Sequence, residues 1–209
     1  MIALFGGTFD PVHLGHINMA EQCVTELGLN ELRFLPCAIP VHKALPKITD
    51  THRLNMLELA IQGHNAFTID KRELERQGRS YSLLTLQEYR AEQPNATIVF
   101  LMGMDSFNSL TSWYEWQTIT ELCHIVVYQR PGEVFSPDPA LNSYVSHALV
   151  NSSAQLFTKK AGHCLFLTGP SFDAASSDIR KLINNQKPAE QFLASSVIDY
   201  IRTHQLYAE

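Results

Sequence analysis

Residues 5–16 read FGGTFDPVHLGH, and they join a short apolar run to a helical pattern. The apolar run, residues 1–5 (MIALF), has the length and character of a buried strand. Residues 17–28 follow as an amphipathic helix, with Gly28 as the expected C-terminal cap. In an open α/β sheet, a strand–glycine turn–helix junction lies at the carboxyl ends of the strands. The turn glycines let backbone approach a ligand closely, and the helix N-terminus attracts phosphate.

Two histidines of this stretch, His13 and His16, are three residues apart and are expected on the same side of the first helical turn. Two imidazoles placed there can both donate to one phosphate group. A metal site formed by Asp10 and the two histidines is an alternative, but the spacing differs from the i, i+4 zinc pattern and no further ligand cluster is evident. Because His-x-x-His pairs also arise by chance, the complete stretch indicates a phosphate site better than either histidine alone.

Residues 6–16 resemble the signature of the nucleotidyltransferase superfamily that carries the HxGH motif. Members of this superfamily are α/β enzymes that transfer a nucleotidyl group from ATP or CTP. Nearly every position of the signature matches, which makes it far more specific than a lone GxGxxG. The resemblance therefore implies a nucleotide-dependent transferase.

The composition is that of an ordinary soluble globular protein, with 209 residues, 45% hydrophobic and 18% charged. This length favours a single domain over residues 1–209, with a C-terminal helical segment from about 174 to 209 packed on it, and the resemblance implies that it is a nucleotidyltransferase domain. The net charge of −5 argues against nucleic-acid binding. No apolar run approaches the roughly 20 residues of a membrane span, and the N-terminal run is unlike a signal peptide. A cytoplasmic location is therefore expected. The cysteines form no CxxC pair, so reduced thiols are expected.

Strand and helix patterns alternate along the whole chain. Further strands are predicted at 32–36, 67–69, 96–102, 124–128 and 164–168, and further helices at 50–62, 83–90, 174–183 and 191–206. The charged residues 73–78 are expected to be a solvated segment, and residues 133–161 an irregular excursion. The alternation predicts an α/β fold, a Rossmann-like open parallel sheet with helices on both faces. The resemblance assigns that fold to the nucleotidyltransferase type.

Polar groups follow two of the predicted elements on the ligand side. His42 and Lys43 come after the second strand and are candidates for a triphosphate. Ser82 is expected to cap the helix predicted at 83–90, which leaves the amides of Leu83 and Leu84 free for an anion. On local evidence alone, solvated loop residues and simple helix capping explain these features better than a site.

Four side chains suit particular parts of a nucleotide. Asp105 follows a buried strand and suits ribose hydroxyls, although it could equally be a helix cap. Trp113 could stack on a flat heteroaromatic ring, although paired tryptophans are usually core. Arg130 could bind a phosphate in bidentate fashion. Arg180 lies near a helix start, where a cation is unfavourable to the dipole, so a bound anion is its expected partner.

A second resemblance covers most of the chain. RSYS at 79–82, GMDS at 103–106, WY at 113–114 and RPG at 130–132 look like the bacterial nicotinate mononucleotide adenylyltransferases, and residues 176–180 are similar to the ISSTxIR motif of the superfamily. Those enzymes make nicotinate adenine dinucleotide and pyrophosphate from ATP and nicotinate mononucleotide, in NAD biosynthesis. The implied partners are therefore ATP and nicotinate mononucleotide, with Mg²⁺ carried in by ATP and no protein metal site. Whether the chain is a monomer or a homo-oligomer stays open.

The resemblance also implies site residues, position by position. It assigns catalysis to His13, His16 and Arg180. It assigns ATP binding to Gly6, Gly7, Thr8, Phe9, Gly15, Gly103, Asp105, Arg130, Ser176 and Ser177. It assigns substrate binding to His42, Lys43, Ser82, Leu83, Trp113 and Tyr114. The sequence departs from the family pattern at Ala174 and Ala175, which replace Ile-Ser and remove one hydroxyl, at Ser177, where Thr is usual, and at Lys43, where Arg is frequent.

The implied mechanism is direct in-line attack of the mononucleotide phosphate on the α-phosphorus of ATP, and pyrophosphate leaves. Phosphopantetheine adenylyltransferases and glycerol-phosphate cytidylyltransferases share the first motif, but residues 113–114 and 80–82 argue against them. A catalytically silent nucleotide-binding module is a second alternative, which the intact His13, His16 and Arg180 disfavour. A dehydrogenase is weaker still, because GxGxxG is missing from the first turn.

Overall fold

The computed structural model describes residues 1–39, 46–130, 132–169, 172 and 175–208. Within these ranges, seven strands form one parallel sheet in the spatial order β3-β2-β1-β4-β5-β7-β6. They are β1 (Ile2–Gly7), β2 (Leu32–Pro36), β3 (Phe67–Ile69), β4 (Ile98–Gly103), β5 (His124–Gln129), β6 (Leu149–Val150) and β7 (Cys164–Thr168). The strand order reverses between β1 and β4, and in such sheets the ligand crevice opens outside the carboxyl ends at this point.

Helices cover both faces of the sheet, as the alternation predicts. They are α1 (Leu14–Leu27), α2 (Asp50–Ala60), α3 (Arg72–Glu75), α4 (Ser82–Glu92), α5 (Met104–Asn108), α6 (Trp116–Leu122), α7 (Pro139–Ala148), α8 (Ser153–Leu156), α9 (Ser176–Asn184) and α10 (Ser195–Thr203), and one turn of 3₁₀-helix spans Leu110–Ser112. One core cluster joins the sheet to α1, α2, α9 and α10, and a second joins it to α4, α5, α6 and α7. None of the helices in the described ranges is both long and apolar enough to cross a membrane.

The first strand shows why the central strands read as continuous apolar runs. Ala3 and Phe5 point into the first core cluster, and Ile2 and Leu4 point into the second. Successive strand residues face opposite sides of a sheet, so a strand covered on both faces needs apolar residues throughout. The short loop after β1 is thereby fixed to a rigid strand.

The segment 73–78 is solvated only in part: Glu75, Gln77 and Gly78 are exposed as its charge predicts, whereas Glu73 is buried. Its first residues belong to α3, and Glu73 is buried and accepts a hydrogen bond from Thr85 Oγ1 at 2.7 Å. Arg76 reaches Glu88 on α4, with Nη2 and Oε2 2.6 Å apart. The side chains of Glu73 and Arg76 are therefore held against α4, which a local count of charged residues does not reveal.

Residues 133–161 contain more regular structure than the weak pattern predicts. α7 begins with Pro139 at its first position, and the side chain of Asp138 accepts a hydrogen bond from the Leu141 amide at 2.8 Å. Asp followed by Pro is a recognised helix start, so this signal was present in the sequence. β6 then adds a short edge strand beside β7.

Candidate active site

A cleft of about 360 Å³ opens where β1, β4 and β5 end. All three residues predicted as catalytic line it: His13, His16 and Arg180. All ten residues predicted for ATP binding also line it: Gly6, Gly7, Thr8, Phe9, Gly15, Gly103, Asp105, Arg130, Ser176 and Ser177. The fold thus brings residues from both ends of the chain to one edge of the sheet.

A smaller pocket of about 110 Å³ adjoins this cleft and is lined by the predicted substrate residues Ser82, Trp113 and Tyr114. The two cavities share a wall, which consists of Gly6, Gly7, Thr8, Phe100, Ser106 and Trp113. After the ligands that the sequence analysis predicts for their residues, we call the larger cavity the nucleotide lobe and the smaller one the acceptor lobe. The glycine turn after β1 lies at their junction.

The remaining predicted substrate residues are placed differently. The Leu83 side chain is buried in the core rather than in the acceptor lobe, so only its backbone is available at the start of α4. His42 and Lys43 lie outside the described residues. Tyr81, not Ser82, is the N-cap of α4, and the Leu84 amide donates to Tyr81 O at 3.1 Å. The prediction that the Leu84 amide is free is therefore wrong.

The turn after β1 is packed tightly against aromatic rings. A Cβ on Gly7 would lie 2.7 Å from the ring of Phe9, so only glycine fits there. Phe9 has a positive φ of 50° and is almost fully buried. Its ring meets that of His16 edge to face, with centroids 5.1 Å apart. The Phe9 side chain therefore packs against the turn and leaves little surface for contact with a ligand.

The two histidines form the entry to α1. His13 is the N-cap, with extended backbone, and its amide donates to His16 Nδ1 at 3.3 Å. The two rings lie 3.8 Å apart between centroids. Burial, together with the nearby charge of Arg130, lowers the pKa of His13 to about 4. His13 is therefore a neutral imidazole near pH 7.

Gly15 allows this close approach. A Cβ at Gly15 would lie 2.9 Å from the His13 ring and 3.0 Å from the Phe172 ring. The His13 and Phe172 rings are nearly parallel, with centroids 6.4 Å apart. The glycine in the second half of the HxGH motif is thus explained by ring packing around His13.

Each arginine of the cleft has a carboxylate partner. Arg130 Nε lies 3.1 Å from Glu133 Oε1, and the Arg130 amide donates to Glu133 Oε2 at 2.9 Å. Arg180 Nη1 donates to the backbone oxygen of Asp10 at 2.6 Å and lies 3.6 Å from Asp10 Oδ2. Arg180 therefore has a partner within the chain, and the expectation that it also pairs with a bound anion stays a prediction.

Two other predicted contacts have clear geometry. Ser176 Oγ donates to the Pro11 carbonyl at 3.0 Å, which ties the start of α9 to the first turn. Asp105 is exposed in the first turn of α5, whose N-cap is Gly103. Asp105 is thus not the helix cap that the sequence allowed as an alternative, and its carboxylate faces the cleft.

A model of the family described as Cytidylyltransferase-like matches residues 4–182. The chain belongs to the cytidylyltransferase-like family. A relative from Idiomarina loihiensis, called "Probable nicotinate-nucleotide adenylyltransferase", is 38% identical over 206 residues, with 98% of each chain covered. A relative of the same name from Pseudoalteromonas atlantica is 39% identical over 206 residues, covering 99% of this chain and 94% of that one. These relatives confirm the resemblance to nicotinate mononucleotide adenylyltransferases.

Solved structures give the same fold for this cytidylyltransferase-like chain. The nicotinic acid mononucleotide adenylyltransferase of Plasmodium falciparum, complexed with NaAD, matches with a TM-score of 0.75 and 21% identity over 99% of this chain and 96% of that one. The complex of that protein with APC matches with a TM-score of 0.74 and 20% identity, over the same shares. At these identities the match concerns the fold, and it confirms the predicted nucleotidyltransferase type of α/β sheet.

Arg53 lines neither lobe of the cytidylyltransferase-like fold but contacts the backbone of Thr8, which lines both, and local sequence reasoning missed it. It is fully buried in α2, and its guanidinium donates to Thr8 O at 2.6 Å and to Cys37 O at 2.5 Å. It also contacts Asp50 Oδ1 at 2.6 Å. A signal was available, since Arg53 falls on the buried face of α2, four residues before Leu57. A cation in the buried register of a helix needs fixed partners, here the carbonyls that follow β1 and β2.

The ligands needed for a protein-built metal centre do not come together in the part of the chain that the structure describes. Groups of three or more His, Cys, Asp or Glu side chains placed to hold an ion are absent there. The alternative site of Asp10 with His13 and His16 is therefore not formed in this cytidylyltransferase-like fold. Both Asp10 oxygens accept hydrogen bonds, from the Tyr207 hydroxyl at 2.8 Å and from the Lys47 amide at 2.9 Å.

Proposed function

We propose that this chain transfers the adenylyl group of ATP to nicotinate mononucleotide, giving nicotinate adenine dinucleotide and pyrophosphate in NAD biosynthesis. The observation that carries the proposal is the pair of lobes that meet at the glycine turn, one lined by the HxGH residues and the other by Trp113 and Ser82. Two substrates bound there would meet at the turn. The names of the relatives support the same reaction.

The nucleotide lobe suits a polyphosphate. The N-terminus of the fourteen-residue helix α1 faces it, and such a terminus attracts anions. We propose that His13 and His16 donate hydrogen bonds to the phosphates, with His13 acting as a neutral donor because its pKa is low. Arg130 and Arg180 add positive charge, and its attraction to the phosphate oxygens strengthens as negative charge builds up on them in the transition state.

The acceptor lobe suits a flat ring that carries a carboxylate. The Trp113 ring packs edge to face on Phe100, with centroids 6.3 Å apart at 89°, and it lines both lobes. The amides of Ser82 and Leu83 belong to the first turn of α4, and helix amides at such positions bind anions. We propose that Trp113 stacks on the pyridine ring and that these amides bind its carboxylate, which would favour the acid over the neutral amide.

The proposed mechanism needs no general base. The mononucleotide phosphate is already ionised near neutral pH, so it can attack the α-phosphorus of ATP directly while pyrophosphate leaves. The protein's contribution is to hold the two substrates in line and to stabilise charge with His13, His16 and Arg180.

We propose that Mg²⁺ enters with ATP rather than in a protein cage. The most buried carboxylate of the cleft, Asp10, already has both oxygens engaged by Tyr207 and the Lys47 amide. Mg²⁺ commonly takes its ligands from substrate phosphates and water, so the donor set fits that arrangement. When bound, the ion stabilises negative charge on the phosphate oxygens.

The proposed partners are two small anions, ATP and nicotinate mononucleotide. A nucleic-acid partner is not proposed, because the chain carries a net charge of −5. The single domain over residues 1–209 and the cytoplasmic location stay predictions, which limited proteolysis and cell fractionation would test.

The reaction is tested by measuring pyrophosphate released from Mg-ATP with three acceptors in parallel: nicotinate mononucleotide, the amide mononucleotide and phosphopantetheine. We expect the fastest release with nicotinate mononucleotide. Release with phosphopantetheine alone would assign a different acceptor. No release with any acceptor would favour the catalytically silent module.

A further inference from the structure

Asp10, which lines the nucleotide lobe, contacts three distant parts of the chain. It is 3% exposed. Its Oδ1 accepts from the Tyr207 hydroxyl at 2.8 Å, and its Oδ2 accepts from the Lys47 amide at 2.9 Å. Arg180 Nη1 donates to the Asp10 backbone oxygen and stays 3.6 Å from Oδ2, which is longer than a good charge-assisted hydrogen bond.

We propose that Tyr207 is a positioning residue for Arg180: its hydroxyl holds the Asp10 carboxylate so that the Arg180 guanidinium stays available to the nucleotide phosphates. This inference rests on the proposed function, since it assigns Arg180 to the phosphates. It adds Tyr207, near residue 209, to a site whose sequence motifs lie between residues 6 and 180.

The reasoning follows from the needs of a buried carboxylate. Each oxygen of a buried carboxylate requires donors, and leaving one without a partner is costly. Among the described residues, Arg180 is the side-chain cation within ion-pair distance of Asp10; it is 27% exposed and 3.6 Å from Oδ2, so it can replace a lost Tyr207 hydroxyl. The guanidinium would then move onto the carboxylate and away from the phosphates.

Tyr207 is suited to act as a constant donor. Burial and the neighbouring Asp10 charge both raise the pKa of its hydroxyl, so the hydroxyl keeps its proton throughout the neutral range. Tyr207 also packs against the first core cluster, which fixes its ring. A phenol held in this way restrains Asp10 without adding charge to the cleft.

The test compares two matched Tyr→Phe variants. Tyr207→Phe removes one oxygen and keeps the ring, and we expect kcat for pyrophosphate release to fall about tenfold while the KM for ATP changes little. Tyr200→Phe is the control, because the Tyr200 hydroxyl bonds Asn55 at 2.8 Å and His52 at 3.0 Å on α2, outside both lobes. We expect its kcat to equal that of the wild type.

A double variant separates positioning from a general structural effect. In an Arg180→Gln background, Tyr207→Phe should cause no further loss of kcat, because the residue it positions is gone. The same tenfold loss in both backgrounds would overturn the inference. So would an unchanged kcat in Tyr207→Phe alone.

Chemical labelling tests the inference independently of activity. Phenylglyoxal modification of Arg180, followed by mass spectrometry, should be several-fold slower in Tyr207→Phe than in the wild type and in Tyr200→Phe, because the guanidinium is drawn onto Asp10. Equal labelling rates would contradict the inference. If the wild type released no pyrophosphate, the proposed function would fail, whereas the labelling comparison would still decide the role of Tyr207.

Discussion

Replacing Arg53 with Met tests whether the buried guanidinium of α2 shapes the active site or only stabilises the fold. Met keeps much of the length and apolar volume of the side chain but has no donors. The change removes the hydrogen bonds to Thr8 O and Cys37 O, which lie just beyond the ends of β1 and β2. Asp50, the third partner, is half exposed and can be solvated instead.

The size of the effect follows from those contacts. Leaving one buried backbone carbonyl without its hydrogen-bond donor lowers the free energy of unfolding by about 1–3 kcal/mol. The solvated carboxylate of Asp50 contributes little, and part of the loss is offset because a buried charge is removed. We therefore expect Arg53→Met to lower the free energy of unfolding by about 2–5 kcal/mol. For a chain of this size, each kcal/mol lowers Tm by about 2–4 °C.

Catalysis should suffer separately, because Thr8 belongs to the turn between the two lobes. A displacement of about 1 Å at a substrate-positioning group can cost about 10²-fold in rate. We expect kcat/KM of Arg53→Met to fall by about 10- to 100-fold at a temperature where the variant is fully folded.

Arg90→Met is the matched control. Arg90 also donates to carbonyls, those of Ala96 at 2.7 Å and Leu122 at 2.6 Å, but it lines neither lobe. We expect it to lower Tm comparably and to keep wild-type kcat/KM. If Arg53→Met lost stability but retained kcat/KM as Arg90→Met does, the active-site role of Arg53 would be refuted.

Other changes test the two lobes and the acid sensitivity of the fold. His16→Ala should lower kcat by about 10²-fold, the scale of losing one donor to developing charge, and near-normal turnover would exclude that role. Trp113→Ala should mainly raise the KM for the mononucleotide, and an effect limited to ATP would contradict ring stacking. Gly15→Ala should lower kcat with the fold retained, because the new methyl displaces the His13 ring; circular dichroism and kinetics check both parts. The pKa of His13 drops from 6.5 to about 4 on folding, so between these pH values the unfolded chain binds more protons and stability falls as pH falls. Urea titrations should show a loss of about 3 kcal/mol across this window that is reduced in His13→Asn.

The sheet was predictable because its strands are covered on both faces. The run at 98–102 is continuously apolar, and the structure places it as β4 in the middle of the sheet. The turn at 6–16 was predictable for a similar reason, since glycines and histidines at fixed spacing directly follow a strand. In both cases the deciding information lies within a dozen residues.

The supporting contacts were not predictable, because they join residues far apart in the chain. Arg53 meets Thr8 across 45 positions, and Tyr207 meets Asp10 across 197. The buried register of α2 indicates that Arg53 needs partners, but local periodicity identifies neither Thr8 as its partner nor Asp10 as that of Tyr207. Glu73 was misplaced for the same reason, since its burial depends on Thr85 and on a helix that packs over it.

The cleft also explains how a chain with a net charge of −5 can bind two anions. Among the lining residues that the structure describes, Lys47, Arg130 and Arg180 outnumber the carboxylates of Asp10 and Asp105. Arg130 is held by the Glu133 carboxylate and Arg180 by the Asp10 backbone oxygen, and these contacts orient both guanidinium groups before any ligand arrives. Preorganised charges stabilise a transition state without the cost of reorientation, so the local arrangement matters more than the total charge. The Glu133 carboxylate therefore belongs to the proposed phosphate site, and removing it should reduce kcat even though the cleft becomes more positive.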